Sequence, residues 1–357
     1  MRQIILQSVV PKEYFQEHEA QRDAFLRAHV GSDYKIKPQG EDWASRRYFR
    51  VIGTDGKSRI LMETVPDHIP TATMGHKLSS FIQVDGLLRD HGIHAPEILA
   101  SNEREGFVLL EDFGDLSLHA AIEQGGDQML LYGTATDILI SMRKNIPDCN
   151  TLNLPKYKDS FIRKGRQRVV DWYIPVTRRE KNSDDLLGGY LAAWDDVAHT
   201  LPPPPIGFIH GDYHAQNLMV LPDGTCGLLD FQDAMWGPLP YDLANILESI
   251  RLDVPADVHE TMMKRYGADD VFRAWFRVMA TQFHCRIIGQ VLRLAIVSGK
   301  TDLLRFMPRI QNYIVQGLKD PVLKPLADWF KAEKVDLSAN DGFDPAIAKS
   351  FIRSDAF

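Results

Sequence analysis

One stretch constrains this chain more than any other: Phe208-Ile-His-Gly-Asp-Tyr-His-Ala-Gln-Asn217, continued by Leu228-Leu-Asp-Phe-Gln-Asp-Ala234. Apolar residues from Ile206 to Ile209 read as a short buried strand, and the turn after it carries Asp212 and, one loop later, Asn217. Leu218 to Leu221 alternates into a second strand, Asp223-Gly224 is a hairpin-turn signal, and Gly227 to Leu229 runs back beside it. The returning strand therefore ends at Asp230, next to the loop that holds Asp212 and Asn217. Two carboxylates and a carboxamide gathered by one turn are all hard oxygen donors. Such a set suits Mg²⁺, which takes a few protein oxygens and completes its shell with water and substrate phosphates.

His-x-Asp-x-x-x-x-Asn followed downstream by Asp-Phe is the spacing of a kinase catalytic loop. Phosphoryl transfer asks little covalent help of a protein; it needs an acceptor hydroxyl held in line and cations to neutralise the departing nucleotide. On that reading Asp212 orients the hydroxyl and accepts its proton, Asn217 and Asp230 hold the metal, and His210 braces the loop backbone. The plain alternative is a polar hairpin with chance carboxylates. Two half-motifs joined by a hairpin of the right length favour the catalytic reading.

With Gly211 where protein kinases usually carry Arg, His210-Gly-Asp-Tyr-His-Ala-Gln-Asn217 resembles the aminoglycoside phosphotransferase and choline kinase family of small-molecule kinases. Asp230-Phe-Gln-Asp-Ala234, Trp236-Gly-Pro238 and Tyr241-Asp-Leu-Ala244 are similar to a bacterial branch of it, the cell-wall sugar kinases that phosphorylate the anomeric hydroxyl of N-acetylmuramate and N-acetylglucosamine. The resemblance extends over most of the chain and is sharp in the central stretch. It implies a bilobal, protein-kinase-like α+β fold. A small sheet-rich N-lobe over residues 1–113 and a larger, mostly helical C-lobe over 114–357 would bind ATP and Mg²⁺ between them.

Ahead of the motif, Pro11 to His29 reads as an amphipathic helix, and strands are expected near Tyr34–Pro38, over Arg47–Ile52 and over Arg59–Val65. The segment Ser45-Arg-Arg-Tyr-Phe-Arg50 resembles the sugar-kinase branch, which makes Ser45 a candidate phosphate contact. Protein kinases place a Lys on the third strand to hold phosphates, and the matching position here is Met62. Arg46, Arg47 and Arg50 are the candidates for the missing cation, because a guanidinium forks well onto phosphate. Alternation points Arg46, Tyr48 and Arg50 to one face and Arg47 and Phe49 to the other. Ser79 to His91 reads as a helix stopped by Gly92, offering Gln83 and Asp85 where kinases pair a Glu with the strand Lys. After strands at Ile98–Ser101 and Phe107–Leu110, Glu111-Asp-Phe-Gly-Asp115 resembles the family's hinge. There the main chain of Glu111 and Phe113 would bond the adenine edge.

From Leu118 onward the pattern is helical, with Met129–Arg143, Ser160–Trp172, Asp184–His199, Phe283–Ser298 and Leu303–Leu318 at helical spacing. In the sugar-kinase branch a similar acidic-Trp-Tyr segment lies by the acceptor, so Asp171, Trp172 and Tyr173 are candidate sugar contacts; core aromatics closing a helix are the other reading. Asp242 either anchors the catalytic-loop backbone or caps its own helix. Asp233 either supports the metal shell or faces the acceptor.

A formal charge of −7 argues against a general nucleic-acid binder, which needs a basic face. Cys149, Cys226 and Cys285 form no Cys-x-x-Cys pair and point to a reducing cytoplasm, with neither a disulfide framework nor a zinc site. The apolar opening Met1–Val10 is too short for a membrane span and lacks a clean signal core. The expectation is a soluble enzyme that phosphorylates a small-molecule acceptor, the anomeric hydroxyl of an amino-sugar. A kinase of aminoglycosides or choline is the alternative within the class, and a nucleotide-binding pseudokinase is the alternative outside it. The oligomeric state is left open.

Overall fold

The computed structural model describes residues 18–41, 46–69, 77–147, 154–157, 167–338 and 344–356. They divide into two compact units: the described residues up to Pro147 together with Ala215–Ala234, and the described residues of 148–214 with those of 235–357. Residues 11–17 of the expected first helix, Ser45, Cys149 and residues 160–166 lie outside the described residues.

The first unit opens with α1 (Glu19–Val30), followed by β1 (Lys35–Glu41), β2 (Arg47–Ile52) and β3 (Ser58–Glu63). After α2 (Leu78–Asp90) come β4 (Ile98–Asn102) and β5 (Phe107–Glu111), completing an antiparallel sheet in the order β1-β2-β3-β5-β4. Alternation along β2 turns Phe49 and Val51 into a cluster with Phe25, Leu26 and Val30 of α1 and with Leu61, Phe107 and Leu109. Each such side chain removed from water is worth roughly 1.5–3 kcal/mol, which is what holds α1 on the sheet. No capping side chain precedes α2 directly; Asp67 supplies the cap at a distance, its carboxylate accepting from Leu78 N at 2.7 Å and Ser79 N at 3.2 Å. Helices α3 (Leu118–Glu123) and α4 (Gln128–Asn145) start at Ser117 and Asp127, whose side chains accept from the first-turn amides.

The second unit departs from the sequence expectation at its start. Instead of closing a helix, Val169–Tyr173 is a π-helical turn that runs straight on into α5 (Ile174–Arg178). Pro175 has no amide hydrogen to offer the Val170 carbonyl five residues back, and Asn182 Nδ2 donates to that carbonyl in its place. Next come α6 (Asp184–His199) and β6 (Ile206–Ile209). The hairpin β7 (Leu218–Val220) and β8 (Cys226–Leu228) belongs to the first unit, paired Leu218 to Leu228. Then β9 (Met235–Pro238) pairs antiparallel with β6, a strand the sequence pattern did not announce. Helices α7 (Pro240–Leu247), α8 (Ala256–Tyr266), α9 (Asp270–Ser298), α10 (Met307–Gly317), α11 (Lys324–Ala332) and α12 (Pro345–Ala348) follow.

Helix α9 runs 29 residues and starts well before Phe283, capped by Asp269, which accepts from Phe272 N at 2.8 Å. Midway along it, a Cβ on Gly289 would sit 2.0 Å from the Arg168 carbonyl oxygen. The glycine is thus what lets the π-helical segment press its backbone onto α9. Among the described residues no helix is long and apolar enough to cross a membrane.

Candidate active site

In the second unit, β6 delivers the chain to His210 and Asp212. The backbone of this loop is held by one carboxylate. Asp242, in the first turn of α7 and 2% exposed, accepts from His210 N at 2.6 Å and from Gly211 N at 3.0 Å. The loop then folds on itself: Asp212 N donates to His210 Nδ1 at 3.2 Å, which places the ring proton on Nε2. The imidazole is fully buried, edge-on to Tyr213 with centroids 5.6 Å apart. His210 and Asp242 therefore set where Asp212 stands.

Burial pushes the Asp242 carboxyl up to about 7; the two amide hydrogen bonds pull the other way, and the charge of Asp212 adds to the rise. Because the folded value lies above the ordinary carboxylate value, this group's contribution to stability is complete below about pH 4 and is lost as pH rises through about 7. Asp242→Ala leaves two buried amides without an acceptor and is expected to lower stability by about 2–5 kcal/mol. It should also flatten the stability profile between pH 4 and 7, both measured by denaturant unfolding across that range. A profile identical to that of the parent chain would show that Asp242 carries no such linkage.

The Asp212 carboxylate itself is half-exposed and lies 3.5 Å from His214 Nε2. Burial acts to raise its pKa, but the His214 hydrogen bond and the charges of His214 and Arg286 outweigh it and hold the carboxyl at about 2. Arg251 stands within the same field: burial lowers its pKa, and the charge of Asp212 opposes that. A carboxylate so firmly ionised is a weak base in the ground state and a strong hydrogen-bond acceptor. It suits orienting a hydroxyl and taking its proton late in the transfer. His214 was not singled out in the sequence, although its place two residues after Asp212 made the pair readable.

In the first unit, Asn217 precedes β7 and Asp230 follows β8, and Leu229 N donates to the Asn217 carbonyl at 2.8 Å. The hairpin thus brings Asn217 and Asp230 together at its base. It is tied down by Val220 N to Leu116 O and Leu228 N to His94 O, each 2.8 Å. Gly227 lies under the Phe113 ring so closely that a Cβ would meet it at 2.3 Å.

Asp230 adopts φ 62°, ψ 41°, the left-handed region that a residue with a Cβ enters at a cost of roughly 1–3 kcal/mol. Phe231 makes the conformation sustainable, buried and stacked on Phe81 of α2 at 4.9 Å. Gln232 Nε2 donates to the Asp230 carboxylate, and Asp233 is exposed at the end of a single 3₁₀ turn. Among the described residues no three His, Cys, Asp or Glu side chains converge as a self-sufficient metal site. A pair of oxygen donors on a braced turn fits Mg²⁺, which draws its other ligands from water and phosphate.

The nucleotide candidates separate by their partners. Arg50 is engaged by Asp112, at 2.6 and 3.0 Å, by Asp115 at 2.8 Å, and by the Gly114 carbonyl. Its guanidinium ties β2 to the Glu111–Asp115 segment. Arg47, on the opposite face, bonds Glu63 at 2.5 Å. Arg46 is fully buried with its guanidinium over the Phe81 ring at 5.7 Å. Met62 is fully buried in the third strand. Glu111 N donates to Glu97 O at 2.9 Å, so its carbonyl is the hinge atom it has to offer, while Asp112 turns the chain by accepting from Gly114 N at 2.9 Å.

Trp172 and Tyr173 are each 1% exposed. The Tyr173 hydroxyl donates to Asp336 O at 2.7 Å and accepts from Gln311 Nε2 at 2.9 Å. These rings are core of the second unit and not an open sugar platform, because the π-helical turn lies flat on α9. Asp171 remains partly exposed and accepts from Gln167 Nε2 at 3.0 Å.

Residues 35–279 match the model of the phosphotransferase enzyme family. Over 350 residues the chain is 30% identical to the N-acetylmuramate/N-acetylglucosamine kinase of Caulobacter vibrioides, covering 88% of this chain and 96% of that one. It is likewise 30% identical to the Pseudomonas aeruginosa kinase of the same name, covering 78% and 82%. Among solved structures it is similar to a spectinomycin phosphotransferase in complex with ADP and spectinomycin, with a TM-score of 0.56 at 15% identity over 87% of this chain and 98% of that one. A choline/ethanolamine kinase family protein from Mesorhizobium loti gives the same TM-score at 12% identity over 88% and 99%. The fold is the kinase-like α+β fold of these proteins.

Proposed function

The chain belongs to the phosphotransferase enzyme family and is a small-molecule kinase, and on that premise we propose that it moves the γ-phosphate of ATP to the anomeric hydroxyl of an N-acetylated amino-sugar. The observation that carries this reading is the Asp212 loop, an ionised carboxylate on a backbone clamped by Asp242, in a chain 30% identical to N-acetylmuramate/N-acetylglucosamine kinases.

In this scheme the Asp212 carboxylate accepts a hydrogen bond from the sugar hydroxyl, aligns its oxygen with the γ-phosphorus and takes the proton as the new P–O bond forms. Asn217 and Asp230 would hold Mg²⁺, which when bound neutralises phosphate charge. The Glu111 carbonyl and Phe113 amide would meet the adenine edge. Arg46 is the candidate for the cation that Met62 cannot supply.

A cationic acceptor of the aminoglycoside or choline kind is disfavoured by the field around Asp212, to which Arg286 and Arg251 contribute. Met62 at the usual lysine position favours a second reading, a nucleotide-binding scaffold without turnover. Purified protein with Mg·ATP, offered N-acetylglucosamine, N-acetylmuramate, kanamycin and choline, separates these. Phosphorus NMR should show a phosphate on the anomeric carbon of the amino-sugars. Transfer to kanamycin or choline alone would reject the proposal, and ATP binding with no transfer to any of the four would establish the scaffold.

A further inference from the structure

Strand register in the first unit sets rows of side chains on the sheet face turned away from α1. Arg50 of β2 stands opposite Ile60 of β3, which stands opposite Leu110 of β5. One step along the same face, Ile52 stands opposite Ser58, and Asp112 follows two positions after Leu110. Alternation therefore delivers Arg50, Ser58 and Asp112 to one corner of the sheet, where β5 ends. All three engage there. The Arg50 guanidinium forks onto the Asp112 carboxylate, Nε to Oδ2 at 2.6 Å and Nη2 to Oδ1 at 3.0 Å. Its Nη1 reaches Asp115 at 2.8 Å, and its Nη2 also donates to the Gly114 carbonyl at 3.2 Å. The Ser58 hydroxyl donates to Asp112 Oδ2, and Gly114 N donates to Oδ1 at 2.9 Å. The Asp112 side chain is 5% exposed. A forked pair with so little water around the carboxylate holds its geometry better than an ion pair in the open.

A chain leaving a strand can turn with one Asp contact to its own backbone and a residue in the left-handed region. Asp112 and Gly114, at φ 84°, supply both. The forked guanidinium and the serine go beyond what the turn needs. They fix the middle residue of a segment whose neighbours are already anchored, Glu111 N on Glu97 O and the Phe113 ring over Gly227. Resting on the nucleotide reading above, we propose that Arg50 and Ser58, acting through Asp112, are positioning residues for adenine recognition. They hold the Glu111 carbonyl and the Phe113 amide in the arrangement that pairs with the edge of the base, and touch no part of the nucleotide themselves. A segment fixed in advance binds the base without having to be ordered first.

Calorimetric titration with ADP and with inorganic tripolyphosphate, each with Mg²⁺, separates the base from the phosphates. In Arg50→Gln, ADP affinity should fall by about ten-fold while tripolyphosphate affinity stays within about two-fold of the parent value. Arg50→Lys, which keeps the charge but not the fork, should recover part of the loss. An ADP affinity unchanged in Arg50→Gln overturns the proposal. Equal loss for both probes also overturns it and makes Arg50 a phosphate contact. If Arg50→Gln does not fold, Ser58→Ala removes a single bond at an exposed position. It should weaken ADP by about three-fold and spare tripolyphosphate, and an unchanged ADP affinity there overturns the proposal. A parent chain that binds tripolyphosphate but not ADP would remove the adenine-binding role of Glu111 and Phe113, and the proposal with it; the earlier outcomes leave that role standing.

Discussion

Asp212→Asn is expected to lose transfer by about 10³-fold in kcat, while its affinity for Mg·ATP stays within about two-fold of the parent value. The substitution keeps the shape of the side chain and leaves the Asp242 clamp and the His210 contact on the backbone untouched. What it removes is the negative charge, held low in pKa by His214 together with Arg286. An amide can still accept a hydrogen bond from a hydroxyl but cannot take its proton, so the loss should fall on kcat and not on nucleotide binding. Steady-state kinetics paired with fluorescence titration of a nucleotide analogue measures the two separately. Transfer at the parent rate would remove Asp212 from the chemistry. A parallel collapse of nucleotide binding would mean the loop had come apart and that the residue had been holding structure.

Much of the fold was legible because its signals are local. The strand patterns of Arg47–Ile52 and Arg59–Val65 read directly onto β2 and β3, and Asp223-Gly224 onto the hairpin that carries Asn217 and Asp230. What escaped is set by partners far along the chain. The ion pairs of Arg50 were not readable in sequence because Asp112 and Asp115 are more than sixty positions away. Trp172 and Tyr173 stood between a sugar contact and core aromatics in the sequence, because nothing local announces that α9 and Gln311 enclose them. The pairing of β9 with β6 spans the whole hairpin, and the reach of α9 back to Asp270 depends on a cap at Asp269 that a polar stretch does not advertise. Helical periodicity says which residues share a face; it says nothing of what covers that face.

Asp230 should separate activity from stability. Asp230→Ala and Asp230→Gly both delete the carboxylate, and each is expected to lose transfer by about 10³-fold and to weaken Mg·ATP binding by about ten-fold or more. Their folding energetics should diverge. Alanine keeps a Cβ in the left-handed conformation and forfeits the Gln232 bond, so Asp230→Ala should be less stable than the parent by about 1 kcal/mol. Glycine forfeits the same bond but occupies φ 62° without steric strain, so Asp230→Gly should be more stable than Asp230→Ala by about 1 kcal/mol, close to the parent, while remaining inactive. Denaturant unfolding alongside ATP turnover reads both quantities. An Asp230→Gly protein that turns over at the parent rate would rule the carboxylate out as a metal ligand. One as destabilised as the alanine variant would show that the backbone at this turn stores no strain. The expected pattern, a glycine variant that folds about as well as the parent yet has lost its reaction, is the signature of a conformation kept for what its side chain does, with Phe231 packed on Phe81 helping to hold the turn in place.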